Sequence, residues 1–185
     1  MKFKLKLFPS GRREWLWMLL QLILFYLLFT AARLYVTSMP GHSHTGPLPA
    51  LSDDEASLSN RLKGHVSTLA GKIGERNLKH YAALKSAADY VRSTFQQLGY
   101  QVAEQEFTVD GQTVTNLEVE IAGASLPAEV VVVGAHYDSV YGSPGANDNA
   151  TGVAAVLELA RFFKQQTPAR TLRFVAFVNE VFVIL

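Results

Sequence analysis

Three polar segments in the second half of the chain carry side chains that could do chemistry together. His136 and Asp138 lie in a His-Tyr-Asp segment, Asp148 lies in the glycine-rich segment Gly145–Gly152, and Glu180 follows a later apolar run. Imidazole nitrogen and carboxylate oxygen are ligands that zinc accepts when no thiolate is available, and the chain has no cysteine. These residue types therefore predict a metal-assisted reaction.

Apolar runs place these segments at one edge of a predicted sheet. Val130–Ala135 and Leu172–Val178 are typical of strands buried on both faces, and Thr151–Phe163 has the apolar spacing of an amphipathic helix. This order predicts two parallel strands joined by a right-handed crossover. Because His136 follows the first strand and Glu180 the second, their side chains should converge beyond the carboxyl ends of the strands.

Each of the four side chains has a chemical role that its type can fill. His136 offers a nitrogen ligand, and Asp138 can accept a hydrogen bond from the other ring nitrogen. Asp148 can bridge two cations, and paired metals about 3.5–4 Å apart suit amide hydrolysis. Glu180 can take a proton from water as a general base. Each residue alone also fits a structural role, such as a turn, so order, spacing and placement carry the prediction together.

The same segments resemble a known family. Val131–Ser139, Gly145–Gly152 and Leu172–Glu180 are similar to the zinc-dependent exopeptidases typified by bacterial leucyl aminopeptidases, with glutamate carboxypeptidase and the transferrin receptor as relatives. The resemblance covers residues 74–180 approximately. It implies an α/β fold with a mostly parallel sheet flanked by helices on both faces. It also implies two zinc ions, and the hydrolysis of peptide bonds in a peptide substrate.

The resemblance also implies a role for each site residue. His136 would bind one zinc ion and Asp148 would bridge both ions, while Asp138 would orient His136 and Glu180 would be the general base. The family has a second glutamate after the base, whereas this chain has Val181. The family's later Asp and His ligands have no counterpart. Zinc binding should therefore be weak or absent, because zinc sites normally use three or four protein ligands.

The end of the match at Glu180 predicts an incomplete domain. We expect a truncated or frame-shifted product of a longer peptidase gene, without activity of its own. Leu172–Val178 would then be an exposed sheet edge continued by the apolar segment Val181–Leu185, and such edges favour aggregation. The alternative is a non-catalytic remnant or interaction module of the same fold. A partner that completes the site in trans is a third possibility.

An apolar run near the N-terminus predicts a membrane anchor. As a helix, Trp15–Ala32 would be about 27 Å long, close to the hydrocarbon thickness of a bilayer. Six of the 17 Lys and Arg residues, but one of the 16 Asp and Glu residues, precede Val36. Five of those six precede the run, which keeps the N-terminus cytoplasmic. A cleaved signal peptide, with Thr30–Ala32 as its cleavage site, is the alternative.

The chain is thus expected to have four parts: a cytoplasmic basic head (1–14), a single transmembrane signal-anchor (15–36), a linker (37–51) and a truncated zinc-exopeptidase-like domain (52–185). The domain would be periplasmic or extracellular, and the lipid bilayer would be a partner. A net charge of +1 gives no indication of nucleic-acid binding. The sequence does not indicate an oligomeric state. His42 and His44 fit a solvated linker better than a metal site.

Local patterns before the site predict two helices and a hairpin. Ser52–Glu55 has a capping-box pattern that opens the first helix. A continuous apolar stripe over Leu84–Leu98 predicts the second. The dipeptide Asp110-Gly111 is typical of a tight turn, and alternation over Thr115–Ile121 predicts the strand that follows it.

Overall fold

The computed structural model describes residues 11–39, 41 and 43–180, and the chain divides into two units after Pro49. In the first unit, helix α1 (Arg12–Thr37) has 26 residues and no buried side chain. Among the described residues, α1 is the one helix long and apolar enough to cross a membrane. It contains the predicted apolar run. His42 and the segment Val181–Leu185 lie outside the described residues.

The second unit alternates helices with strands. In chain order its elements are α2 (Asp53–Val66), a π-helical segment (Ser67–Ile73), a 3-10 turn (Leu78–His80), α3 (Tyr81–Gln97), β1 (Ala103–Val109), β2 (Gln112–Ile121), β3 (Leu126–His136), an irregular turn (Ala146–Ala150), α4 (Thr151–Phe163) and β4 (Arg170–Phe177).

Elements with strong local signals form where the sequence predicts them. At the start of α2, the Ser52 hydroxyl accepts a hydrogen bond from Glu55 N at 3.3 Å, and the Glu55 carboxylate accepts one from Ser52 N at 2.7 Å. The predicted capping box is therefore present. Asp110 and Gly111 both have positive φ, at 50° and 77°, and join β1 to β2 as a tight hairpin. Helix α4 has the predicted bounds.

The four strands form a mixed sheet in the order β1-β2-β4-β3. β3 and β4 are parallel, as the strand-helix-strand order predicts, while β1–β2 and β2–β4 are antiparallel. The α/β class is confirmed. The resemblance implied a mostly parallel sheet, and the described part differs because the β1–β2 hairpin joins it next to β4. Helices α3 and α4 pack on the face that carries Val119, Phe174 and Ala135.

The prediction that Leu172–Val178 forms the sheet edge is wrong, since β4 lies between β2 and β3. The described edge strands are β1 and β3. The prediction that Val130–Ala135 is buried on both faces is also wrong, because Val130, Val131 and Val132 are exposed. β3 has a strand neighbour on one side only among the described strands, and the helix-covered core begins at Val133.

A buried polar cluster joins α2 to α4. The Glu158 carboxylate accepts a hydrogen bond from Arg61 at 2.7 Å and another from Arg161 at 3.1 Å, and it lies 3.1 Å from His65 Nε2. Burial alone would raise the pKa of Glu158, but these three hydrogen bonds outweigh it and lower that pKa. Glu158 is therefore a buried carboxylate that stabilises the contact between the two helices.

Candidate metal centre

Tyr137 fixes the place where the chain leaves β3 and enters the site. Its backbone N–H donates to Phe177 O at 2.8 Å, and its buried hydroxyl donates to Thr115 O at 2.8 Å. Burial raises the pKa of this hydroxyl. Because successive side chains of an extended chain alternate in direction, His136 and Asp138 share the face opposite Tyr137. The buried Tyr137 side chain thus orients His136 and Asp138, the residues on either side of it.

The structure brings together the four side chains that the sequence singled out. His136 Nε2 lies 2.9 Å from Asp148 Oδ1 and 3.5 Å from Glu180 Oε2. His136 Nδ1 lies 3.4 Å from Asp138 Oδ1. His136 and Asp138 are buried, whereas the carboxylates of Asp148 and Glu180 are about two-thirds exposed. The imidazole therefore has a buried side facing Asp138 and a solvent-facing side with two carboxylates.

This donor set fits zinc through His136 and Asp148. The Nε2 side offers nitrogen and oxygen ligands, and the buried Nδ1 makes no hydrogen bond of good geometry but faces the carboxylate that could orient it. Three carboxylates around one imidazole repel one another, and a cation relieves that repulsion. The part of the chain that the structure describes contains no group of three or more His, Asp or Glu side chains arranged to hold one metal ion. The described residues therefore offer a zinc ion two protein ligands, His136 and Asp148.

The contact between His136 and Asp148 is closer than a shared metal requires. Two ligands about 2.0–2.1 Å from a tetrahedral zinc ion lie about 3.3 Å apart. His136 Nε2 and Asp148 Oδ1 lie 2.9 Å apart and make a direct hydrogen bond. The two side chains would have to separate by a few tenths of an ångström to bind one ion. Asp148 is exposed enough to make that movement.

Asp148 reaches the imidazole because the chain folds back between β3 and α4. We call residues 136–150 the site loop. Gly145 has a left-handed conformation, with φ of 57°. A Cβ atom there would lie 2.6 Å from Asp148 O and 2.6 Å from Ser139 Cβ. Only glycine fits this combination of backbone conformation and close approach.

A segment that sequence reasoning missed lies along the site loop. Ser139 N donates to Arg76 O at 2.9 Å, and Arg76 N donates to Ser139 Oγ at 3.0 Å. The Glu75 carboxylate accepts a hydrogen bond from Gly142 N at 2.9 Å, which helps to lower the pKa of Glu75 after a larger contribution from Asn77. In the sequence these residues are a short charged stretch between helices. No periodic pattern marks such a stretch as buried.

The position of Glu180 also depends on a residue without a sequence signal. Asn116 on β2 accepts a hydrogen bond from Val178 N at 3.0 Å, beyond the end of β4. Asn179 then has a positive φ of 61°, and Glu180 N lies 3.5 Å from Asp138 Oδ1. These contacts turn the chain so that Glu180 faces His136.

The model of peptidase family M28 matches residues 116–185, the part of the chain that contains all four site residues. Leupeptin-inactivating enzyme 1 of Streptomyces exfoliatus is 32% identical over 153 residues, which cover 79% of this chain and 34% of that protein. The chain belongs to the zinc exopeptidase family. Aminopeptidase YwaD of Bacillus subtilis is 50% identical to this chain over 52 residues, which cover 28% of this chain and 11% of the aminopeptidase.

Solved structures agree with the fold of this M28 chain. A zinc aminopeptidase from Bacillus subtilis superposes with a TM-score of 0.60 at 17% identity, covering 64% of this chain and 61% of the aminopeptidase. At that identity the similarity concerns the fold. The M28 chain spans about a third of the length of curated relatives that match most of its residues, with 39% and 34% of two of them covered.

Proposed function

We propose that the second unit is the part of a zinc exopeptidase domain that presents His136 and Asp148 to zinc and Glu180 to the substrate water. The observation that carries this proposal is the convergence of the three predicted carboxylates on the imidazole of His136, at the carboxyl end of β3 in the parallel strand pair. The substrate class that fits is a peptide, as in the peptidase family to which the chain belongs.

Each side chain has one task in this proposal. His136 and Asp148 bind metal, and Asp138 holds the His136 ring through Nδ1. Zinc, when bound, polarises the scissile carbonyl and makes water a stronger nucleophile. Glu180 Oε2 accepts the proton of the attacking water and delivers it to the leaving amine. Its exposure leaves room for water and substrate beside the carboxylate.

We also propose that α1 anchors this domain to a membrane. α1 is apolar and long enough to span a bilayer. The excess of Lys and Arg before the apolar run Trp15–Ala32 favours a cytoplasmic N-terminus. The M28 domain would then be periplasmic or extracellular, where it would meet exported or external peptides.

A second candidate function is a non-catalytic binding module of the same fold. Two observations favour it. His136 and Asp148 contact each other directly at 2.9 Å, and the described residues supply no three-ligand metal group. A site with two protein ligands binds zinc weakly. In this case the domain would bind peptides or proteins without cleaving them.

Hydrolysis of an aminoacyl p-nitroanilide by the detergent-solubilised full chain, with zinc in excess, tests the catalytic proposal. The catalytic proposal predicts slow zinc-dependent hydrolysis that Glu180→Gln abolishes while zinc binding is retained, because the amide cannot accept the proton. Hydrolysis that Glu180→Gln leaves unchanged would contradict the role of Glu180. Zinc binding with no hydrolysis in the unmodified chain would favour the non-catalytic module.

A further inference from the structure

Arg76 is the largest side chain that is completely buried in the described structure. Its guanidinium donates hydrogen bonds from Nε, Nη1 and Nη2. The five acceptors are backbone carbonyl oxygens, at 2.5–3.3 Å, of Leu69, Gly74, Tyr137, Pro144 and Gly145. A single side chain therefore satisfies carbonyl groups from three separate stretches of the chain.

Burying a guanidinium is costly unless its N–H groups are paired. Here backbone carbonyl oxygens supply the pairing. Burial lowers the pKa of Arg76, and the negative charge of the buried Asp138 opposes that shift. The guanidinium stays charged because arginine side chains keep their proton in proteins. Burial of a cation lowers the stability of the fold unless its hydrogen bonds stabilise the structure around it.

Three of the five acceptors of Arg76 lie in the chain between the proposed metal ligands His136 and Asp148. We call residues 136–138 the first arm of the site loop and residues 144–148 its second arm. Tyr137 O, on the first arm, accepts the hydrogen bond from Nε. Pro144 O and Gly145 O, on the second arm, accept hydrogen bonds from Nη1 and Nη2. The planar guanidinium thus sets the separation of the two arms.

We infer that Arg76 is a positioning residue that holds the site loop in the conformation in which His136 and Asp148 meet. The expected effect of Arg76 on zinc binding rests on the proposed function, whereas its effect on the conformation of the site loop does not. Lysine cannot take its place, because a single ammonium cannot reach carbonyl groups on both arms at once. Ser139, which exchanges two hydrogen bonds with the Arg76 backbone, fixes the same loop independently of the guanidinium.

The test compares Arg76→Met and Arg76→Lys with Val91→Ala in the full chain. Val91 is completely buried in α3, outside the site loop, and its truncation should destabilise the unit as a whole. The first readout is hydrogen exchange of site-loop amides in metal-free chain, relative to amides of α4. We expect the ratio of the exchange rate in the site loop to that in α4 to rise about 10-fold or more in both Arg76 variants. The same ratio should stay unchanged in Val91→Ala.

The second readout is the Kd for zinc alone, measured under conditions in which every variant is folded. We expect both Arg76 variants to bind zinc about 10- to 100-fold more weakly than the unmodified chain. Site-loop exchange and zinc Kd that change no more than in Val91→Ala would overturn the inference. If the unmodified chain binds no zinc, the proposed metal site fails, and hydrogen exchange alone still decides the role of Arg76.

Discussion

The middle and the carboxyl end of β3 have opposite chemistry and opposite burial. Val130, Val131 and Val132, in the middle of the strand, are 44%, 41% and 55% exposed, whereas the polar segment from His136 to Ser139 at its end is no more than 8% exposed. Hydrophobicity alone would predict the reverse. The polar end is buried because hydrogen bonds from neighbouring segments satisfy it. The valines are exposed because the core reaches only as far as Val133.

The largest expected effect comes from disturbing the polar end. Gly145→Ala adds a Cβ atom 2.6 Å from Asp148 O in a left-handed backbone conformation. We expect the free energy of unfolding of the second unit to fall by about 2–4 kcal/mol. The measurement is hydrogen exchange of α4 amides in the detergent-solubilised chain over a urea series.

Gly142→Ala is the matched control for this change. Gly142 also has a positive φ, of 78°, but a Cβ atom there would meet no atom within 4 Å. Its cost should be about 1 kcal/mol, from backbone conformation alone. Equal costs for the two variants would show that the site loop is not tightly packed around Gly145, contrary to the structure.

Glu158→Gln tests whether hydrogen bonds to a buried polar side chain away from β3 also stabilise the second unit. We expect a loss of about 1.5–3 kcal/mol at pH 7, because hydrogen bonds to a charged group are weakened. The folded-state pKa of Glu158 is lowered. Its contribution is therefore present above the ordinary pKa of glutamate, about 4.3, and is lost as pH falls through the lowered folded-state value.

Unfolding measured from pH 7 down to pH 2 should thus show the difference between Glu158→Gln and the unmodified chain shrinking at acid pH. The control is Glu129→Gln, since the ion pair of Glu129 with Arg170 is half exposed. Its effect should be no more than about 1 kcal/mol. A difference for Glu158→Gln that is constant with pH would mean that the carboxylate charge does not stabilise the contact between α2 and α4.

The smallest expected effect comes from the exposed valines in the middle of β3. Val132→Thr should change the free energy of unfolding by about 0.5 kcal/mol or less, because the side chain is largely in solvent. Val133→Thr, one residue further, should cost about 1 kcal/mol or more, because Val133 packs against the core. Urea unfolding compares the two. If Val132→Thr were as costly as Val133→Thr, Val132 would be covered in solution.

The sequence could predict those features whose signals are local. The capping box at Ser52, the turn at Asp110-Gly111 and the bounds of α4 each follow from residues close together in the chain. The convergence of His136 with Glu180 also follows, because a parallel strand pair places both at one sheet edge.

Features that depend on distant residues could not be predicted. The sequence does not show that β4 lies between β2 and β3, because strand order is set by pairing between segments far apart. The exposure of Val132 follows from that order and not from its own hydrophobicity. Arg76 has the residue type of a solvated surface, and its burial depends on carbonyl groups as far away as Gly145. Its role as a positioning residue is therefore visible only in three dimensions.

Zinc binding at the end of β3 tests the central claim most directly. The measurement is competition for zinc between the full chain and a chromophoric chelator, for the unmodified chain, His136→Ala and His44→Ala. We expect weak binding in the unmodified chain, unchanged in His44→Ala and weaker by about tenfold or more in His136→Ala. Binding that His136→Ala leaves unchanged, or no zinc binding by the unmodified chain, would contradict the assignment of this site.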